Sequence, residues 1–219
     1  AFQQQLIAGA TQCVRAEGLT ASQAAMAEPL AVCLHAIAQA GDLRGKTVLI
    51  TGCGPIGCLS VLAARHAGAA RILATDLSDY TLKMALICGA DLAFNTLTAP
   101  SALQPYQAEK GQIDIHLECS GAASALAAGI ACLRPSGTLV QLGLGGDMNV
   151  PMQAITAKEI TLRGSFRFHA EFGVAVALMQ EGAIVVDPLI THSFGMDALT
   201  EAFETATDRS QAMKVQLRF

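Results

Sequence analysis

The sequence predicts an α/β fold, a doubly wound parallel six-stranded sheet, and three observations predict it. Between residues 46 and 143, short β-rich runs alternate with helical stretches, the pattern left by repeated βαβ units. A glycine-rich turn follows the first β run, and an acidic residue closes the second. The composition agrees: 52% of residues are apolar and 15% charged, enough side-chain volume for a large core and too little charge for disorder.

The elements follow in order. Ala21 to Ala40 has helical composition, and Pro29 should kink or restart that helix. Lys46 to Thr51 is nearly continuous in apolar residues, as a strand buried on both faces should be. Pro55 to His66 has helical apolar spacing and ends before Gly68. Arg71 to Asp76 is the second strand, Ser78 to Cys88 its helix ending at Gly89, and Asp91 to Asn95 a short third strand. After a polar stretch holding Pro100 and Pro105 come a strand at Ile113 to Glu118 and a helix at Ala122 to Leu133. Pro135-Ser136-Gly137 turns into a fifth strand, Thr138 to Gly143, and the alternating run Glu159 to Ser165 is a sixth. Beyond the sheet, Glu171 to Gln180 and Ala198 to Ala206 are helical, and Lys214 to Phe219 is a terminal strand. These flanks look like parts of a neighbouring domain.

Composition also excludes function classes. No run approaches the roughly 18 apolar residues that a membrane-spanning helix requires. The formal net charge is -4 and the basic residues are scattered, so no surface is built for nucleic acid. The chain opens at Ala1-Phe2-Gln3-Gln4-Gln5, with no start Met and no basic leader; it reads as a cytoplasmic protein and as a cut inside a longer one. Seven cysteines are spread among apolar neighbours without a C-x-x-C pair, which predicts buried thiols rather than disulfides or a thiolate metal site.

The chemistry centres on Gly52-Cys53-Gly54-Pro55-Ile56-Gly57, a G-x-G-x-x-G directly after a strand and opening a helix. Gly52 permits the tight turn, Gly54 lets a pyrophosphate approach the backbone, and Gly57 lets helix and strand pack closely. Pro55 suits the first helical position, where its missing N–H costs nothing, and the free amides behind it face the phosphates. Asp76 ends the second strand about 20 residues further on, where a carboxylate accepts hydrogen bonds from the adenosine ribose and repels the 2′-phosphate of NADP. NAD is therefore expected over NADP. On its own Asp76 is equally readable as a helix cap. A methyltransferase using S-adenosylmethionine shares the glycine turn and the acid, but would not predict the further elements that follow.

Glu28-Pro29-Leu30-Ala31-Val32, the glycine motif, Glu118-Cys119-Ser120-Gly121, Leu142-Gly143-Leu144-Gly145 and Gly164-Ser165-Phe166-Arg167-Phe168 come in a telling order. Over essentially the whole chain they resemble the landmarks of the zinc-dependent medium-chain dehydrogenases. The sorbitol and L-idonate dehydrogenase branch is the most similar, through Phe166-Arg167-Phe168 and the tail Lys214-Val215-Gln216-Leu217. The resemblance implies a Rossmann NAD-binding domain at 35–170, with 1–34 and 171–219 belonging to a GroES-like catalytic domain. It implies that Pro55 and Ile56 line the pyrophosphate and nicotinamide path, that Leu142, Gly143 and Leu144 border the nicotinamide ring, and that Ser165, Phe166 and Arg167 meet its carboxamide. Arg167 would also reach the substrate, a polyol or sugar acid whose secondary alcohol loses a hydride. Glu28 would lie beside a catalytic zinc whose other ligands, a Cys and a His-Glu pair, belong upstream of Ala1.

Each residue also has a plainer reading. Leu142 and Phe166 suit a core, Arg167 a surface ion pair, Glu28 a helix end, and His35, His66, His116 and His192 packed or capped positions. The sorbitol-type pattern places an arginine on adenine where this chain has Thr81, a departure that leans toward the idonate branch; Lys83 is its electrostatic substitute or a solvated lysine. Without a zinc ligand set, the chain is expected to bind dinucleotide without turning over substrate. It is otherwise a non-catalytic dinucleotide-binding or dimerisation module, associating as a homo-oligomer through the edge of the sixth strand.

Overall fold

The computed structural model describes residues 2–219. In chain order its elements are α1 (Ala21–Ala24), α2 (Ala27–Ala40), β1 (Thr47–Thr51), α3 (Pro55–His66), β2 (Arg71–Asp76), α4 (Asp79–Ile87), β3 (Leu92–Asn95) and β4 (Ile113–Glu118). There follow α5 (Ala123–Cys132), β5 (Leu133–Gln141), α6 (Met152–Ala157), β6 (Thr161–Gly164), α7 (Glu171–Gln180), β7 (Ile190–Gly195), α8 (Leu199–Thr207) and β8 (Lys214–Arg218). The strands β1 to β6 form one sheet, parallel at every pairing, in the order β3-β2-β1-β4-β5-β6. This is the doubly wound order, and its direction of winding reverses between β1 and β4.

Both faces of the sheet are covered, which explains why β1 reads as an unbroken apolar run. Val48 and Ile50 point into a core shared with α2, α3, α4 and α7, whereas Leu49 points into the opposite core with α5. From α7, Ala175, Val176 and Met179 join the first of these cores. β7 and β8 pair in a separate two-stranded parallel sheet. No helix of the described residues is long and apolar enough to cross a membrane.

Several boundaries depart from the sequence reading for identifiable reasons. Pro29 neither kinks nor begins a helix: the break falls upstream, between α1 and α2, and Pro29 sits inside the first turn of α2. The first four N–H groups of a helix have no partner in it, so the proline removes no bond there. β5 begins at Leu133, which pairs with Ile113 before a register shift, and Ser136 takes the turn at φ +59°. The helix α6 was not expected; it has six residues and buries only Ile155, too little for a periodic signal. β7, also unexpected, is half-buried and lacks a clean alternation.

Candidate functional site: a cleft at the carboxyl ends of the central strands

The reversal of winding opens a crevice beyond the carboxyl ends of β1, β2 and β4, where open α/β sheets place their ligands. A cavity of about 720 Å³ occupies it. Gly52, Gly54, Pro55, Ile56, Gly57 and Asp76 all line it, so the glycine motif and the acid that ends β2 meet in one place. The geometry follows from the glycines. Gly52 has φ +83°, a left-handed turn that a β-carbon would strain, and its amide donates to the Thr75 carbonyl at 2.8 Å. A β-carbon on Gly57 would lie 1.8 Å from the Gly52 carbonyl oxygen, so this position is closed by packing. A β-carbon on Gly54 would meet no atom within 4 Å; that side of the turn is open. No side chain caps α3, whose first amides are left for a ligand.

Asp76 is tied into the turn itself. Its Oδ2 accepts from the Cys53 amide at 2.6 Å, and its Oδ1 accepts from the amides of Leu77 at 2.7 Å and Ser78 at 3.1 Å. Three of the roughly four lone-pair positions of the carboxylate are thus occupied, leaving one for a ribose hydroxyl. Asp76 does not cap α4, whose N-cap is Ser78 without a side-chain bond; its carboxylate instead braces the Cys53 amide and the turn leading into the helix.

A buried polar network forms the floor. The Glu118 side chain, fully buried, accepts from the amides of Ser120 and Gly121, both at 2.9 Å, from the Ser120 hydroxyl, and from Gln141 Nε2 at 2.7 Å. The Thr51 hydroxyl donates to Glu118 Oε1 at 3.3 Å and accepts from His116 Nε2 at 2.9 Å, the assignment that gives each proton an acceptor. Burial drives the His116 pKa down to about 3, so the imidazole is neutral. The Glu118 carbonyl also accepts from the amides of Leu142 and Gly143, both at 2.8 Å. One residue therefore holds together the turns after β4 and β5, and Gly143 and Gly145 let those turns touch at Gly121. The sequence reading gives Glu118 no role of its own; an acid at the carboxyl end of a largely apolar strand was the available signal.

The remaining anticipated residues do not join the first cavity. Leu142 is buried at 9% exposure, while Gly143 and Leu144 border a second, shallower cleft with Gln141, Met148 and Gly164. Ser165 is buried with its hydroxyl unpartnered, as is Gln141 Oε1. Phe166 is 65% exposed, and Arg167, at φ +59°, lays its guanidinium 5.3 Å from the Phe166 ring centroid. Glu28 is exposed in the first turn of α2 and lines neither cavity. His35 is packed as expected, its Nδ1 lying 2.9 Å from Glu171 Oε1. Lining residues that the sequence did not single out include Thr96, Gln107, Ser124 and Arg209.

The donor chemistry fits one cofactor and not the other. A turn open at Gly54, uncapped amides and a partly free carboxylate suit a dinucleotide. Zinc finds no such fit: among the described residues no three His, Cys, Asp or Glu side chains are grouped to hold a metal ion. The thiols near the cleft are poor ligands as well, since burial pushes Cys33 up to about 12 and Cys53 and Cys119 also upward.

Comparison with known proteins gives these features a family. The chain is 44% identical over 196 residues to the NAD(P)+-dependent L-idonate 5-dehydrogenase of Escherichia coli K12, covering 89% of this chain and 57% of that protein. It is 34% identical over 207 residues to human sorbitol dehydrogenase, covering 92% and 57%. The crystal structure of the Escherichia coli L-idonate 5-dehydrogenase superposes with a TM-score of 0.92 at 42% identity, over 95% of this chain and 60% of that one. The chain thus spans a little under three fifths of the length of these curated relatives. A family model described as zinc-binding dehydrogenase matches residues 55–181, more than half of the sequence. The chain belongs to the zinc-binding dehydrogenase family.

Proposed function

We propose that this chain is the NAD(H)-binding part of an oxidoreductase that takes a hydride from a secondary alcohol of a polyol or sugar acid, leaving a ketone. The observation that carries the reading is the turn from Thr51 to Gly57, sealed at Gly57, open at Gly54 and gripped by Asp76. Its amides and the end of α3 receive the pyrophosphate, and the last acceptor position of Asp76 takes a ribose hydroxyl, which favours NAD. Nicotinamide, when bound, supplies the hydride acceptor. Leu142, Gly143 and Leu144 are assigned to its ring, and Ser165 with Phe166 and Arg167 to its carboxamide; the unpartnered Ser165 hydroxyl supports that assignment. L-idonate is preferred to sorbitol as substrate on the higher identity to the first relative. Glu28 keeps only a proposed place near a zinc ion, since among the described residues no group of three ligands stands beside it. Association of two copies along β6, exposed at the sheet edge, completes the proposal.

Fluorescence titration with NADH tests it. Saturable binding is expected, with a melting temperature that rises with ligand concentration. Absence of both would remove the reading.

A further inference from the structure

Glu118 lines neither cleft, yet each of its carboxylate oxygens serves one of them. Oε1 accepts from the Ser120 amide at 2.9 Å, from the Ser120 hydroxyl and from the Thr51 hydroxyl at 3.3 Å, and both residues line the first cavity. Oε2 accepts from the Gly121 amide at 2.9 Å and from Gln141 Nε2 at 2.7 Å, and Gln141 lines the second cleft. A carboxylate offers roughly four acceptor positions, so with these donors in place none is left for a ligand. Among the described residues Glu118 makes no ion pair; it is held by neutral, directional bonds alone.

Packing alone would not choose this residue. Burying a carboxylate is costly even when its oxygens are bonded, and an apolar side chain would fill the space without that cost. The amide of glutamine does not substitute either. Each oxygen faces a backbone N–H, Ser120 on one side and Gly121 on the other, so an NH2 group in either place meets a donor. The same bonds orient Gln141. Its Nε2 spends its protons on Glu118 and on the Gly143 carbonyl at 2.9 Å, which leaves Oε1 as a buried acceptor without a partner. The backbones of the two turns have no slack above the carboxylate: a β-carbon on Gly143 would lie 2.1 Å from the Gly121 nitrogen and 2.6 Å from Glu118 Oε2.

We propose that Glu118 is a positioning residue that locks the turn after β4 to the turn after β5, so that one dinucleotide spans both clefts with its nicotinamide end in the second. The proposal rests on the dinucleotide reading above and gives Glu118 no contact with the cofactor. Calorimetric titration of the wild-type chain, Glu118→Gln and Gln141→Met with NADH and with ADP-ribose tests it, together with the fluorescence of the bound nicotinamide. Glu118→Gln should weaken NADH by about tenfold or more and ADP-ribose by less than about threefold. The emission of its bound NADH should fall back toward that of the free cofactor. Gln141→Met cuts only the side-chain link from β5 to Oε2, so it should show the same pattern with a smaller loss of NADH affinity. A lower melting temperature is expected for Glu118→Gln, which sets one buried donor against another; where that variant does not fold, Gln141→Met decides alone. Equal losses for NADH and ADP-ribose would overturn the proposal by reducing Glu118 to support of the fold, as would unchanged NADH affinity and emission. A wild type that binds neither ligand would instead remove the dinucleotide reading beneath it.

Discussion

The glycine turn and the segment from Leu142 to Arg167 were both read from the sequence as cofactor-binding, yet they are built differently. The turn is braced by its own backbone and acids: Asp76 holds Cys53, Gly52 holds Thr75, and Glu118 and Thr51 close the floor, where among the described residues only His116 Nδ1 lacks a partner. The second segment leaves Gln141 Oε1 and Ser165 Oγ buried without partners, and exposes Leu144 at 83% and Phe166 at 65%. Buried polar atoms without partners cost about 1–3 kcal/mol each, so such a surface is at its most stable when something else supplies the bonds. One half of the site is thus made by local chain geometry. The other half is made to be completed by what it meets.

Two glycines three residues apart give the largest expected effect. At Gly57 an added β-carbon strikes a backbone oxygen at 1.8 Å, so Gly57→Ala should destabilise the fold by about 3 kcal/mol or more and abolish NADH binding with it. At Gly54 the same β-carbon meets nothing, so Gly54→Ala should melt like the wild type and still lose NADH affinity by about tenfold or more. Thermal melts paired with NADH titrations separate the two. A Gly54→Ala chain that binds normally would break the claim that the turn is open for a ligand.

Acid separates the regions next. His116, under the turn, has its folded pKa driven to about 3 by burial, from an ordinary 6.5. The unfolded chain takes up this proton first, so stability present above pH 6.5 is lost as pH falls toward about 3. Glu171, beside the second segment, is raised by burial but lowered further by the His35 side chain and the amides of His169 and Glu171 itself, to about 2 from 4.5. Its contribution is complete above pH 4.5 and disappears as pH falls toward about 2. Between pH 6.5 and 5 a decline from His116 is therefore expected, ahead of the one from Glu171. Glu171→Gln should flatten only the part below pH 4.5, by no more than about 1 kcal/mol, because the pair keeps some contact with water. Urea midpoints across that range measure it; a Glu171→Gln profile unchanged below pH 4.5 would contradict the assignment.

What the sequence made legible follows the same line. The six strands of the main sheet, its order and the cofactor turn rest on local signals: apolar runs, glycines at fixed spacing, an acid at a strand end. Arg209 escaped because its place depends on a distant turn folding back over Ser78, and nothing in Asp208-Arg209-Ser210 marks that contact. The role of Glu118 escaped because its partners come from β1, β5 and the turn after β4, brought together only by sheet register. Pro29 misled because a proline in a first helical turn and a proline that breaks a helix look alike in sequence.

The smallest expected effect asks whether the second region serves the nicotinamide. Phe166 and Leu144 already face water, so Phe166→Ser and Leu144→Ser remove little buried area and should change stability by less than about 0.5 kcal/mol. ADP-ribose and NADH share everything in the cofactor except nicotinamide, so the pair isolates that ring. Phe166→Ser should weaken NADH by a few-fold and leave ADP-ribose affinity unchanged. Equal losses for both ligands would move Phe166 to the adenosine half. A stability loss above about 1 kcal/mol would mean that the aromatic ring is covered in solution, with β6 and its neighbours paired against a second copy. Running the melts at two protein concentrations tells the cases apart, since only a dimer makes the midpoint depend on concentration.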